Sequence, residues 1–275
     1  MKRIRLRVAY DGTSYAGWQM QPNALTVQEV LDKALSDLLK TPVHTMGASR
    51  TDAGVHALGN VAVFDTEARM PADKYAFALN TRLPEDIRIQ LSEEVPADFH
   101  PRFCHTVKTY EYRILNRTFP DPTRRLNSVH IYGNLDLEAM QTAAHYLEGT
   151  HDFKSFATEN PQVTDTVRTI YRTKLWRDDE DMIHFQITGN GFLYNMVRII
   201  TGTLLEVGKG ATAAEDIPQI LAAKDRTKAG PTARAKGLTL VCIRYPDEEK
   251  MAKQSKKLLT HPAQYCKIVH CDMVS

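Results

Sequence analysis

The sequence has no apolar run approaching the ~18 residues of a membrane span, so a transmembrane helix is excluded. The N-terminus, Met1-Lys2-Arg3-Ile4-Arg5-Leu6-Arg7, alternates charged and apolar residues and lacks the apolar stretch of a signal peptide, which predicts a cytoplasmic protein. Excess charge of either sign is also missing: 35 basic residues face 33 acidic ones, for a net charge of +2. A nucleic-acid partner would therefore have to meet a localised basic patch. The four cysteines, Cys104, Cys242, Cys266 and Cys271, contain no CxxC and no regular spacing, so neither a disulfide framework nor a zinc site is indicated. Cys266 and Cys271 can be grouped with His261 and His270, but the spacing fits no common zinc pattern. Neither a P-loop nor a GxGxxG is present, which removes the two commonest phosphate-cradling motifs.

What is there is an ordinary globular composition, 43% hydrophobic and 25% charged over 275 residues, enough for one large domain or two small ones. Ile4, Leu6, Val8 and Tyr10 alternate as a strand that stops at Asp11-Gly12. Thr26 caps a helix whose Val27, Val30, Leu31, Ala34, Leu35 and Leu38 fall at helical spacing until Pro42. A short strand (43–46), a second strand (59–66), a helix over 71–82 and a strand at Ile87-Ile89-Leu91 complete a β-α-β-β-α-β order, the ferredoxin-like split βαβ unit. A looser second copy follows: a strand at 107–115, a helix at 136–147, strands at 167–176 and 182–188, a helix at 192–207 and a strand at 238–245. The fold class expected is α+β, with two related halves, 1–100 and 101–246, on mainly antiparallel sheets, and a tail at 247–275 rich in lysine at its start.

Between the short strand and the second strand lies Gly47-Ala48-Ser49-Arg50-Thr51-Asp52-Ala53-Gly54-Val55-His56-Ala57. A single carboxylate sits beside an arginine, between glycines that allow close approach of another backbone. A tight hairpin in which Asp52 caps a turn would explain Thr-Asp-x-Gly taken alone. The match extends further, however. Tyr10-Asp11-Gly12 with Tyr15-x-Gly17-Trp18-Gln19, Lys108-Thr109-Tyr110-Glu111-Tyr112, Gly149-Thr150-His151-Asp152-Phe153, Gly189-Asn190-Gly191-Phe192-Leu193-Tyr194-Asn195-Met196-Val197-Arg198 and Ala229-Gly230-Pro231-Thr232-Ala233 are spread over residues 1–246. Together with the Asp52 loop they resemble the tRNA pseudouridine synthase A (TruA) family. Ser49, Asn60 and Arg234 depart from the glycine, glutamine and proline common there.

The resemblance implies the pseudouridine synthase fold and an isomerase. Such an enzyme breaks the uridine C1′–N1 bond, turns the base and joins C5 to C1′, at positions 38, 39 and 40 of the tRNA anticodon arm. It implies no cofactor and no metal, a homodimer, and one tRNA touching both subunits. Asp52 matches the essential carboxylate, which acts either as a nucleophile at C1′ or as a base taking the 2′ proton. Tyr110 matches the tyrosine that stacks on the target base, and Arg198 the arginine paired with the aspartate. Arg50 falls where it can fill the place of an extruded base or bind phosphate.

Read from the residues alone, Tyr112 shares the face of Tyr110 and packing can be its whole role, while Arg198 lies beside the apolar stripe of its helix. A cation beside Asp52 would favour its ionised form against burial. Alternation would set Arg168, Arg172 and Lys174 on one strand face, suited to RNA phosphates; Arg102, Lys108, Arg113, Arg117, Arg124 and Arg125 form another basic run. Two competing readings remain: a non-catalytic RNA-binding module, which has no need of a buried acid, and a hydrolase built on Asp52 and His56, which lacks an activated nucleophile.

Overall fold

A computed structural model describes residues 1–158 and 163–246. The tail at 247–275, with Cys266, Cys271, His261 and His270, lies outside the described residues.

The first strand, β1 (Lys2–Tyr10), turns Ile4, Leu6, Val8 and Tyr10 into the core, and α1 (Val27–Leu39) lays Val27, Leu31 and Leu35 into the same cluster. Thr26 caps α1 by accepting the Glu29 amide at 3.3 Å. The strand before the Asp52 loop, β2 (Met46–Gly47), is shorter than its composition suggests, because Thr45 gives its amide and hydroxyl to Asp32 rather than to a neighbouring strand. Then come β3 (His56–Thr66), a short 3-10 turn, α2 (Tyr75–Asn80) and β4 (Ile87–Val95). The helix expected over 71–82 is thus a 3-residue 3-10 turn followed by a 6-residue α-helix.

The second half runs β5 (Val107–Asn116), β6 (Val129–Ile131), α3 (Leu137–His145), β7 (Gly149–Asp152), β8 (Val167–Arg177), β9 (Met182–Gly189), α4 (Met196–Gly208), α5 (Ile217–Ala223) and β10 (Leu238–Arg244). Among these, α4 starts four residues later than its apolar pattern implies. Asn195, at φ +60°, sits in the left-handed region and holds the preceding Gly-Phe-Leu-Tyr run out of the helix.

One sheet carries both halves, in the order β4-β1-β3-β10-β5-β9-β8-β7, with β2 beside β3 and β6 beside β5. Nearly every pairing is antiparallel. The join between the halves is parallel: β10 meets β3 through Thr239–His56 and Leu240–Ala57, while its other edge runs antiparallel to β5. Because β3 begins directly after the Asp52 loop and β10 directly after residues 229–237, parallel pairing brings these two loops to the same end of the sheet.

A bulge overturns one expectation. Ile170 pairs with Gly189 and Arg172 with Thr188, so Tyr171 is an extra residue that inverts the alternation of β8. Arg172 and Lys174 consequently share the sheet face of Thr188 and Gln186. Arg168 lies on the opposite face, that of Lys108 and Tyr110, which pair with Gly189 and Ile187.

Candidate active site

The Asp52 loop is built on close backbone approach. Trp18 gives its amide to the Thr51 carbonyl at 3.1 Å, and Gly54 gives its amide to the Tyr15 carbonyl at 3.2 Å. Gly17 makes this possible. Its φ is +93°, and a Cβ there would stand 2.4 Å from the Thr51 carbonyl oxygen. Behind the loop, the Tyr10 hydroxyl pairs with Thr51 Oγ1 at 2.7 Å, and Asn60 Nδ2 donates to the Ser49 carbonyl at 3.0 Å. Gly17→Ala is therefore expected to cost ~1–3 kcal/mol of stability and to lower turnover with it. An unchanged melting temperature would show that the loop tolerates the displacement.

Arg198, in the first turn of α4, reaches the loop from the other half of the chain. Its Nη1 lies 3.2 Å from Asp52 Oδ2. The same nitrogen donates to Asn195 Oδ1 at 2.7 Å, and Nε donates to the Ala233 carbonyl at 2.8 Å. The guanidinium is thus shared among three acceptors, and only one of its contacts goes to the carboxylate. Burial pushes the Asp52 carboxyl above its ordinary range, and the charge and hydrogen bond of Arg198 pull it back only in part. The expectation that the cation favours ionisation holds for its direction, but burial is the larger effect.

Tyr110, buried on β5, meets Ser49 hydroxyl to hydroxyl at 2.9 Å and sets its ring edge-on to Phe192, with centroids 5.1 Å apart. Burial is the main cause that pushes its phenol up to about 12; the nearby Asp52 charge adds to this and Ser49 opposes it. Tyr112 gives its hydroxyl proton to the Arg234 carbonyl at 2.7 Å and packs on Gly237, where a Cβ would come within 2.6 Å of the ring. It is held by this packing and by its one hydrogen bond to the 229–237 loop. Arg50 is exposed at the rim, and its contact is with Gln19 at 3.4 Å, not with Asp52.

His56 is turned away from Asp52. Its Nδ1 accepts the Gly12 amide at 3.1 Å, and Nε2 faces the carbonyls of Leu126 and Lys236 at 2.9 and 3.1 Å. That imidazole ties three loops together, so the Asp52–His56 dyad of the hydrolase reading is not formed. Among the described residues no group of three His, Cys, Asp or Glu side chains is arranged to hold a metal ion. The model described as tRNA pseudouridine synthase matches residues 7–104 and 143–246. The chain belongs to the tRNA pseudouridine synthase family.

Relatives of nearly its full length agree. The chain is 51% identical to "tRNA pseudouridine synthase A" of Ruminiclostridium cellulolyticum, over 89% of this chain and 100% of that protein. It is 48% identical to the protein of the same name from Acetivibrio thermocellus, over 89% and 100%. For the Halalkalibacterium halodurans protein the figure is 50%, over 86% and 90%. As a member of the tRNA pseudouridine synthase family the chain is an isomerase.

Sequence reasoning missed how the parts are held. Asn195, three residues before Arg198, carried a signal only in that i, i+3 spacing, which a helix would bring to one side. Ser49, Asn60 and Arg234, the three departures from the tRNA pseudouridine synthase pattern, all sit against the site, through the Tyr110 hydroxyl, the Ser49 carbonyl and the Tyr112 hydroxyl respectively.

Proposed function

We propose that this site converts uridine to pseudouridine at positions 38, 39 and 40 of the tRNA anticodon arm, with Asp52 as the reacting carboxylate. The observation that carries the reading is a lone, largely buried acid set against one arginine and flanked by a buried tyrosine. Asp52 would either attack C1′ or remove the 2′ proton; both steps need its ionised form. Arg198 stabilises that form and fixes its direction. Tyr110 supplies the flat face on which the detached base turns, and Arg50, at the rim, fills the space the extruded base leaves in the RNA. The decisive experiment incubates the protein with unmodified tRNA and no cofactor, then maps pseudouridine by chemical adduct formation. Unmodified tRNA after prolonged incubation would reject the proposal.

We read residues 1–100 and 101–246 as two α+β halves that act as one catalytic unit. We infer a cytoplasmic homodimer in which one tRNA touches both subunits; a mass consistent with a single chain at micromolar concentration would reject the dimer. No helix among the described residues is long and apolar enough to cross a membrane.

Two further outcomes are expected. With a net charge of only +2, tRNA affinity rests on local cations and should fall steeply with salt. Affinity that is flat between about 50 and 200 mM salt would contradict this. Truncation after residue 246 should leave fold and most turnover intact, because the family match ends there. An inactive truncated chain would show that the last residues are needed.

A further inference from the structure

The basic residues singled out in the sequence separate into two kinds. Arg113 is paired with Glu111 at 2.7 Å, Arg117 with Asp121 at 3.4 Å, and Arg124 with Asp121 and Glu180. Arg50, Arg102 and Lys108 make no ion pair among the described residues; Arg168 lies 4.0 Å from the exposed Asp165 carboxylate, and its Nη1 donates to the Asp165 and Val167 carbonyls at 3.1 and 2.6 Å.

Of these four cations, Lys108 and Arg102 reach the Asp52 loop, and Arg168 lies on the sheet face of Lys108. Lys108 feels the charges of Arg102, Arg50 and Arg168, and Arg102 feels that of Arg50. Two of them are anchored to consecutive carbonyls of the Asp52 loop: Arg102 Nε donates to Gly47 at 2.7 Å, and Lys108 Nζ donates to Ala48 at 3.2 Å. Each anchor uses a single nitrogen. The Arg102 Nη groups and the remaining ammonium protons of Lys108 have no protein acceptor among the described residues, so they face solvent with donors and charge free to meet an anion. Burial and like charge together push Lys108 down to about 8, a cost that a bound anion would remove.

The position of the cluster identifies the anion. Lys108 lies two residues before Tyr110 on the same face of β5, and its anchor at Ala48 adjoins Ser49, which holds the Tyr110 hydroxyl. Asp52 faces Arg198 instead. We propose that Lys108, Arg102 and Arg168 form a phosphodiester-binding subsite beside Tyr110 that takes one backbone phosphate flanking the target uridine. The proposal rests on the reading of this site as acting on tRNA. The bond is to phosphate, not to base, so the subsite positions the RNA and carries no sequence preference.

The test is a set of tRNAs, each with one anticodon-arm phosphate replaced by a neutral methylphosphonate, assayed for pseudouridine formation. For the wild-type protein, one position should lower kcat/KM about tenfold, mainly through KM. Lys108→Met should lower kcat/KM on unmodified tRNA by a similar factor and lose its sensitivity at that one position, while Lys108→Arg keeps both. If Lys108→Met retains the wild-type sensitivity at every position, the subsite is overturned while the uridine reading stands. If the wild-type protein forms no pseudouridine on unmodified tRNA, both fall. Should Lys108→Met fail to fold, Arg102→Gln, at an exposed residue, must show the same selective loss, and retained sensitivity there overturns the proposal equally.

Discussion

Asp52→Asn is expected to lower turnover by on the order of 10⁴-fold while tRNA still binds. The amide keeps the size and polarity of the carboxylate and can remain near Arg198, but it can neither attack C1′ nor take a proton. The same substitution should raise the melting temperature, and the sign follows from the carboxyl's environment. Asp52 holds its proton more tightly in the folded protein than in the unfolded chain, because burial outweighs Arg198. Stability is therefore lost as pH rises from the ordinary carboxyl range through the raised folded value, and the loss is complete at neutral pH. Asparagine carries no such cost. Activity runs the other way: with an ionised Asp52 required, kcat should fall on acidification at a higher pH than an ordinary aspartate would dictate. Appreciable turnover by the Asn variant would remove Asp52 from the chemistry. A lowered melting temperature with turnover lost would mean that the variant damages the loop and tests nothing about charge.

Arg198→Lys is expected to reduce kcat/KM about a hundredfold with little change in tRNA affinity. The guanidinium ties Asp52, Asn195 and the Ala233 carbonyl together through two nitrogens in one plane. A lysine ammonium is a compact point charge on a flexible stem and cannot hold that planar arrangement. The charge survives, so the acid limb of the pH profile should move less than in Arg198→Met. There the carboxyl loses its only charged partner among the described residues, and the limb should shift to higher pH. If Arg198→Lys instead loses binding and keeps turnover, Arg198 is a phosphate contact and its pairing with Asp52 is incidental to the reaction.

Much of this was legible in residue order, for reasons that can be located. The Thr26 cap and the apolar spacing after it defined α1, because a long amphipathic helix repeats its signal over several turns. The Asp52 loop stood out in the sequence because its glycines and lone acid are local. The three- and four-residue strands β6 and β7 were not legible, since they are too short to show a period, and neither was the short helix α5. The bulge at Tyr171 defeated a face assignment that simple alternation had made, and so moved Arg172 and Lys174 away from Arg168. Asn195 stayed hidden because the apolar pattern runs through it from 192, so nothing in the sequence marks the left-handed residue that precedes α4. The paired cations have a carboxylate close by in sequence, Glu111 for Arg113 and Asp121 for Arg117 and Arg124, whereas the anchoring of Arg102 and Lys108 on the Asp52 loop is a property of tertiary placement.

The parallel seam between β3 and β10 also sets when the protein can first act. Asp52 is laid down early in the chain, but the strand that docks its half against the other is the last one before residue 246. A ribosome-bound chain that has already formed β1 to β9 has β1 beside β3 but still lacks β10, the strand that joins β3 to the second half, and the docked loop whose Ala233 carbonyl holds Arg198. Such long-range pairing closes late in folding because its loop entropy must be met before its contacts form. Pseudouridine formation is then a reporter of the final closing event. A nascent fragment ending before β10 is expected not to modify RNA, however native its first half has become.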